Sequence, residues 1–207
     1  MKFIFFYYCF IWLIVPINTS YAQDSITLLG KKDAYINSIF PERSFKIHGG
    51  TCLVAAAWTN QNRPCIVRAL FDFDMSLIPS EGVVEKAILS LYGATDHSDG
   101  AHSTSGGSNE SELLRITSCW DEESVTWNSQ PGYSDENKAT LIESVLPEED
   151  YLNIDVTELV KDMIDSPSES YGFMLKLITE EYYRKMVFAT SNNSDVSIHP
   201  KLIVTFE

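Results

Sequence analysis

An all-β fold, two stacked sheets with one short helix at about 156–165, is predicted from three observations. Apolar side chains alternate with a period of two in at least four segments, those segments end at Gly, Pro, Asn or Ser, and helical spacing occurs in one place. The clearest strand sets Ala87, Leu89 and Leu91 against Lys86, Ile88, Ser90 and Tyr92, so an extended backbone sends the first group to a core. Val67, Ala69, Phe71 and Phe73 repeat the pattern. The opposite side of that strand, Ile66, Arg68, Leu70, Asp72 and Asp74, is mixed, as expected of a sheet packed on one side. Phe173, Leu175 and Leu177 make a third set and Leu202, Val204 and Phe206 a fourth; two sheets face to face would bury all of them.

The helical exception is Glu158, Leu159, Val160, Met163 and Ile164, placed behind Asp155-Val156-Thr157, where a side-chain oxygen can cap free N–H groups. Pro167 and Ser168 stop it. Between Gly93 and Glu112 the chain is rich in Ser, Gly, Asp and His with no apolar period, which predicts a long surface loop.

The 207 residues carry 15 Lys and Arg against 29 Asp and Glu, a net charge of −14. A field of that sign argues against a protein that coats nucleic acid or anionic lipid. Four cysteines without a C-x-x-C pair argue against a structural zinc site or thioredoxin-type chemistry. At the start, Lys2 is followed by fifteen almost wholly apolar residues, Phe3 to Ile17, and by Ser20-Tyr21-Ala22. This pattern predicts a secretory signal over 1–22, with residues 23–207 as one mature domain. The alternative is an uncleaved anchor, but the run is interrupted by Pro16 and falls short of the roughly 20 residues a span needs. The expected location is secreted, whether extracellular, periplasmic or at the cell surface, with no membrane span after cleavage.

The order of short motifs is more specific. Asp33-Ala34-Tyr35-Ile36 is followed by Arg68-Ala69-Leu70-Phe71-Asp72-Phe73-Asp74, Leu77-Ile78-Pro79 and Ala87-x-Leu89-x-Leu91-Tyr92. Then come Trp120-Asp121-Glu122-Glu123-Ser124-Val125-Thr126-Trp127-Asn128 with Pro131, Asp155-Val156-Thr157-Glu158-Leu159-Val160, and a closing Pro200-Lys201-Leu202-Ile203-Val204. The series, spanning about Ile26 to Phe206, resembles the DNRLRE-type domain, also grouped as carbohydrate-binding module family 96. The resemblance implies a jelly-roll β-sandwich in secreted, mostly bacterial proteins, some of which bind acidic polysaccharides such as alginate through basic and aromatic side chains. The sequence departs from the usual arrangement in having no catalytic module attached and a long insertion at Gly93–Glu112.

Charge is unevenly distributed along the chain. Residues 23–70 hold six bases, Lys31, Lys32, Arg43, Lys46, Arg63 and Arg68, and three acids, whereas residues 71–207 hold eight bases and 26 acids. If the early strands are neighbours, Lys31, Lys32, Arg43, Lys46 and Arg68 form a basic patch for uronic carboxylates, screened from the acidic remainder beyond a Debye length of about 8 Å. The alternative is ordinary solvated cations scattered over both faces. Tyr182, beside Tyr183 in Glu180-Glu181-Tyr182-Tyr183-Arg184-Lys185, is the candidate stacking surface for a sugar ring, against packing at a core edge. Trp120 and Trp127 read as structural, and Trp58 is undecided.

Cys52 and Cys65 flank an expected hairpin and are the candidate disulfide, against two buried thiols acting as small apolar residues. His97, Asp99 and His102 could ligate zinc if brought together, against a solvated loop. Asp33 or Asp155 could serve a structural Ca2+. No cofactor is expected otherwise. None of G-x-S-x-G, H-E-x-x-H, G-x-x-x-x-G-K-[ST] or G-x-G-x-x-G occurs, and His48-Gly49-Gly50 has no nucleophile elbow to serve. The expected function is therefore non-catalytic polysaccharide binding. The alternatives are a structural or adhesive domain with protein partners at the cell surface and a polysaccharide-degrading enzyme.

Overall fold

The computed structural model describes residues 24–45, 52–79, 82–94 and 100–207. The predicted signal, Lys46, the His48-Gly49-Gly50 run, His97 and Asp99 lie outside these. Among the described residues the chain forms ten strands and one α-helix: β1 (Asp24–Asn37), β2 (Cys52–Asn60), β3 (Arg63–Phe73), β4 (Val84–Leu91), β5 (Ser111–Ile116), β6 (Tyr133–Leu141), β7 (Tyr151–Asp155), α1 (Thr157–Asp165), β8 (Phe173–Leu177), β9 (Arg184–Ala189) and β10 (Lys201–Phe206). The all-β sandwich with a single short helix is as the sequence predicts.

All pairings are antiparallel, and β1 belongs to both sheets. Its first half, Asp24–Leu29, pairs with β10, which continues through β4 to β7. Its second half pairs with β3, which continues through β8 and β5 to β6. The register shifts between Gly30 and Lys32, a bulge that lets one strand turn the corner between layers. At the other side of β3, the hairpin partner β2 leaves β3 beyond Ala56 and pairs with β9.

The alternating residues meet between the layers. Leu28, Ala87, Leu89, Leu91, Leu202 and Val204 from one sheet pack with Phe71, Phe73, Leu113, Phe173 and Leu175 from the other. Phe71 and Phe173 stack at 5.5 Å. Helix α1 adds Leu159, Val160 and Met163 to the same core. Asp155 accepts from the Thr157 N–H (3.0 Å) and its hydroxyl, which satisfies a donor at the start of the helix.

Three expectations need correction. The mixed face of β3 does not look into water: Leu70 is fully buried with Ala34, Ile36, Leu114, Ile116 and Met174 in a second core, roofed by Trp120 and Val125 from residues 117–132. Period two places Leu70 on the outer side of the sheet, but only a covering segment, invisible in a strand's own pattern, buries it.

The Cys52–Cys65 disulfide does not form, and both side chains are buried thiols. The hairpin is present, with Gln61 (φ 50°) and Asn62 (φ 62°) making its two-residue turn in the left-handed region. That turn sets Cys65 opposite Trp58. Cys52 lies six residues further along β2, about 20 Å at roughly 3.3 Å per residue, far beyond the span a disulfide bridges.

The segment after Gly93 is a surface loop only in part: Ser105, Gly106, Gly107 and Ser108 are exposed, but two of its polar residues are buried. Asn109 is fully buried, donating to the Ser144 hydroxyl (2.7 Å) and the Lys185 carbonyl (2.9 Å) and accepting from the Ser144 N–H (2.9 Å). His102, 6% exposed, accepts at Nδ1 from the Val187 N–H and reaches the Glu149 carbonyl through Nε2, each at 2.9 Å. Both ring nitrogens are engaged by backbone, so His102 is a structural pin between segments, in place of the metal ligand or solvated residue considered from sequence.

Candidate functional site

Lys31, Lys32 and Arg68 are met by carboxylates from later in the chain. Lys31, at the bulge, is exposed and lies 3.6 Å from Asp74. Lys32 and Arg68 share the outer face of the β1–β3 pair, because Lys32 registers with Asp72 and Ile36 with Arg68. Lys32 lies 3.7 Å from Asp72 and 4.2 Å from the Trp120 ring centre, and donates to the Trp120 carbonyl. Arg68 makes a two-pronged contact with Glu180 (2.8 and 3.0 Å), donates to Gln130 and lies 5.0 Å from the Trp127 ring centre. Burial works against its charge, but hydrogen bonding and charge from Glu180 outweigh that and raise its pKa. Arg43 packs over Phe40 and Phe45. The structure thus brings Lys32 and Arg68 onto one face, but beneath the two tryptophans of the 117–132 segment and neutralised by carboxylates.

Asp33 is equally committed. Its carboxylate accepts from the Ser191 N–H and hydroxyl and from Asn192 Nδ2, pinning the turn after β9 to β1. Asp155 accepts both Thr157 contacts through one oxygen, Oδ1. Among the described residues, no cluster of three or more His, Cys, Asp or Glu side chains gathers that could hold a metal.

Tyr182 is placed differently. It and Tyr183 are 43% and 45% exposed at the end of the sheet where β9 begins. They line a groove of about 620 Å³, predominantly apolar, with Pro64 and Ile66 of β3, Gly106, Glu180, Glu181 and Arg184. Tyr183 has φ +67°, a conformation costly for a bulky side chain. It is held there by its N–H to the Ala57 carbonyl (2.8 Å) and by the Gly106 N–H to its own carbonyl (2.9 Å). The left-handed residue breaks the alternation of an extended strand, so both rings reach solvent with centres 6.3 Å apart. Gly106 is required by close approach, since a Cβ would collide with the Tyr182 carbonyl.

Arg184 forms the polar wall. Its side chain is only 12% exposed, and its contact to the well-exposed Glu181 is 3.3 Å. Its Nε is buried without a partner among the described residues. Behind it, the Trp58 ring meets Tyr183 edge-on at 5.2 Å and has Lys185 Nζ at 5.2 Å. Sequence reasoning singled out Tyr182 on the improbability of burying two adjacent rings. It passed over Arg184 and Gly106, whose roles depend on residues 103–107 running beside β9, where the Ser103–Lys185 bridge forms.

The sequence matches the profile of carbohydrate-binding module family 96 over residues 24–206. The chain belongs to that family. A search of curated proteins finds no match.

Proposed function

We propose that this member of carbohydrate-binding module family 96 is a secreted, non-catalytic domain that binds an acidic, alginate-like polysaccharide in the Tyr182–Tyr183 groove. The observation that carries the reading is the pair of exposed tyrosines on one predominantly apolar groove with an incompletely matched guanidinium in its wall. A pyranose ring offers apolar C–H faces to an aromatic surface while its hydroxyls and carboxylate seek polar partners. A uronate that displaces the exposed Glu181 gains a charge-assisted contact to Arg184. Lys31 and Arg43 supply outlying positive charge, with Lys46 a further candidate, while Lys32 and Arg68 support the scaffold.

Affinity electrophoresis of the purified mature chain tests this. Retardation is expected in gels containing a polyuronate, weakening as salt rises, with a smaller effect in a neutral glucan. Tyr182→Ala is expected to abolish most of the shift, and incubation releases neither reducing ends nor unsaturated uronates. Equal mobility of wild type and Tyr182→Ala overturns the site. Ile142, Val145 and Leu146, 68%, 81% and 64% exposed, favour a second reading, a surface domain that contacts other proteins. Absence of a shift across a broad glycan panel selects it.

A further inference from the structure

Between β6 and β7 the chain runs Ile142-Glu143-Ser144-Val145-Leu146-Pro147-Glu148-Glu149-Asp150. Ile142, Val145 and Leu146 are 68%, 81% and 64% exposed, three large aliphatic side chains within five residues. A single exposed aliphatic is ordinary, but three gathered on one loop mark a contact surface.

The backbone that carries them is braced. The Tyr151 hydroxyl donates to the Ile142 carbonyl at 2.8 Å, and Ser144 is buried against Asn109, which accepts from its N–H and donates to its hydroxyl. The His102 N–H donates to the Pro147 carbonyl at 3.0 Å, and the His102 ring meets the Glu149 carbonyl. Glu149 turns its carboxylate back to accept from the N–H groups of both Val145 and Leu146. The apolar tip is therefore held outward on a fixed frame, with little backbone freedom left to lose when a partner covers it.

Four carboxylates and no base lie within 142–150. Glu149 and Asp150 accept from the backbone N–H groups of Val145, Leu146 and Gly93, whereas Glu143 and Glu148 are exposed beside the tip. That rim selects the occupant. A second copy would set like charges against each other, an anionic membrane would be repelled, and a glycan finds no aromatic ring in this loop on which to stack.

We infer that residues 142–148 dock a second protein whose surface presents Leu, Ile or Val side chains flanked by Lys or Arg. The contact uses none of the residues that line the Tyr182–Tyr183 groove, and the inference goes beyond the glycan reading without resting on it.

Fluorescence anisotropy with labelled synthetic peptides and the purified protein tests it. The probes are an amphipathic Leu/Lys peptide, a Ser/Lys peptide of equal charge and a Leu/Glu peptide of equal apolar content. Saturable binding is expected for the first, weakening as salt rises, with the other two at least about tenfold weaker. The double variant Val145→Ser/Leu146→Ser is expected to lose about tenfold in affinity for the Leu/Lys peptide, and Glu143→Gln/Glu148→Gln to lose several-fold with a shallower salt dependence. Both keep the wild-type melting temperature, since all four side chains are exposed. Both also keep the wild-type relative retardation in polyuronate gels, which separates failure here from failure of the groove. Equal binding of the Leu/Lys and Ser/Lys peptides, an unchanged affinity of Val145→Ser/Leu146→Ser, or no saturable binding overturns the inference. So does a wild-type dimer in sedimentation that the Val145→Ser/Leu146→Ser variant lacks, because the occupant is then a second copy.

Discussion

Two regions of this molecule set aromatic rings beside cations, and only one leaves the rings open. On the outer face of the β1–β3 pair, Lys32 lies against Trp120 and Arg68 against Trp127. Trp120 is 6% exposed and donates from its indole N–H to the Tyr171 carbonyl at 2.8 Å. The segment that carries both rings is tied down by the Asp33 N–H to Glu122 (3.1 Å) and the Asn128 N–H to the Pro41 carbonyl (3.0 Å). At the sheet end, Tyr182 and Tyr183 stand beside Arg184, and Trp58 beside Lys185, with both tyrosine rings over two-fifths exposed. Residue type does not decide whether an aromatic–cation pair is scaffold or binding surface; the presence of a covering segment does.

The largest effect separating the two regions is expected at Trp120. Trp120→Ala empties the roof of the outer core and leaves the Tyr171 carbonyl short of a donor. It should cost about 3–5 kcal/mol in chemical denaturation, with glycan affinity of the folded fraction unchanged. A loss below about 1 kcal/mol would break the distinction from the scaffold side.

Arg68→Met comes next and touches both regions, because its partner Glu180 also lines the groove. Breaking the pair is expected to destabilise the protein by about 2–3 kcal/mol, below the range for full burial since part of Glu180 meets water. The released carboxylate repels a polyuronate, so affinity falls several-fold. Unchanged affinity would show that the groove does not sense Glu180.

Acidification probes the buried pin at His102. Burial holds the His102 pKa below its ordinary value of 6.5, outweighing the nearby charges of Glu149 and Asp150, with Lys185 adding to the depression. The unfolded chain binds the proton more readily, so stability is full above about pH 6.5 and declines as pH falls below it. Protonation at Nδ1 also removes the acceptor for the Val187 N–H. Melting temperature should therefore drop between pH 7 and pH 5, and His102→Gln should flatten that slope. Asp155 and Asp195, whose pKa values are lowered by hydrogen bonds from Thr157 and Ser197, lose their contribution only at lower pH, below the ordinary carboxylate value of 3.8.

The smallest stability effects sharpen the comparison from the open side. Tyr182→Ala should shift stability by no more than about 0.5 kcal/mol while binding falls about tenfold. Reductant should leave the melting temperature unchanged, since Cys52 and Cys65 are thiols. Burial raises the Cys65 pKa against the opposing effect of its hydrogen bond to Asn37, which keeps that thiol slow to react. A drop on reduction would show a crosslink that this register forbids.

Much of the architecture was legible because the period of two is local. Ala87, Leu89 and Leu91, and Val67, Ala69, Phe71 and Phe73, are buried as their alternation requires. The helix starts at Thr157, one residue inside the range read from its spacing. Tyr182 was legible for a similar reason, as one of two adjacent rings in a polar stretch. The disulfide was misread because the turn at Gln61–Asn62 fixes register, and sequence proximity across a hairpin does not convert into facing positions. The basic patch was legible as charge and not as availability: Asp72, Asp74 and Glu180 reach Lys32, Lys31 and Arg68 from positions far along the chain, 112 residues away for the Arg68–Glu180 pair.

The sequence alone determined the strands β2, β3, β4, β8 and β10, the helix, the inward residues of the alternating runs and the family, since each follows from short-range chemistry or from motif order along the chain. Tertiary structure decided which aromatic rings are roofed and which are open, which cations are neutralised, and that His102 and Asn109 are buried pins. Those outcomes depend on which distant segment lies across a given face, and contacts made at long range leave no period in the residues that make them.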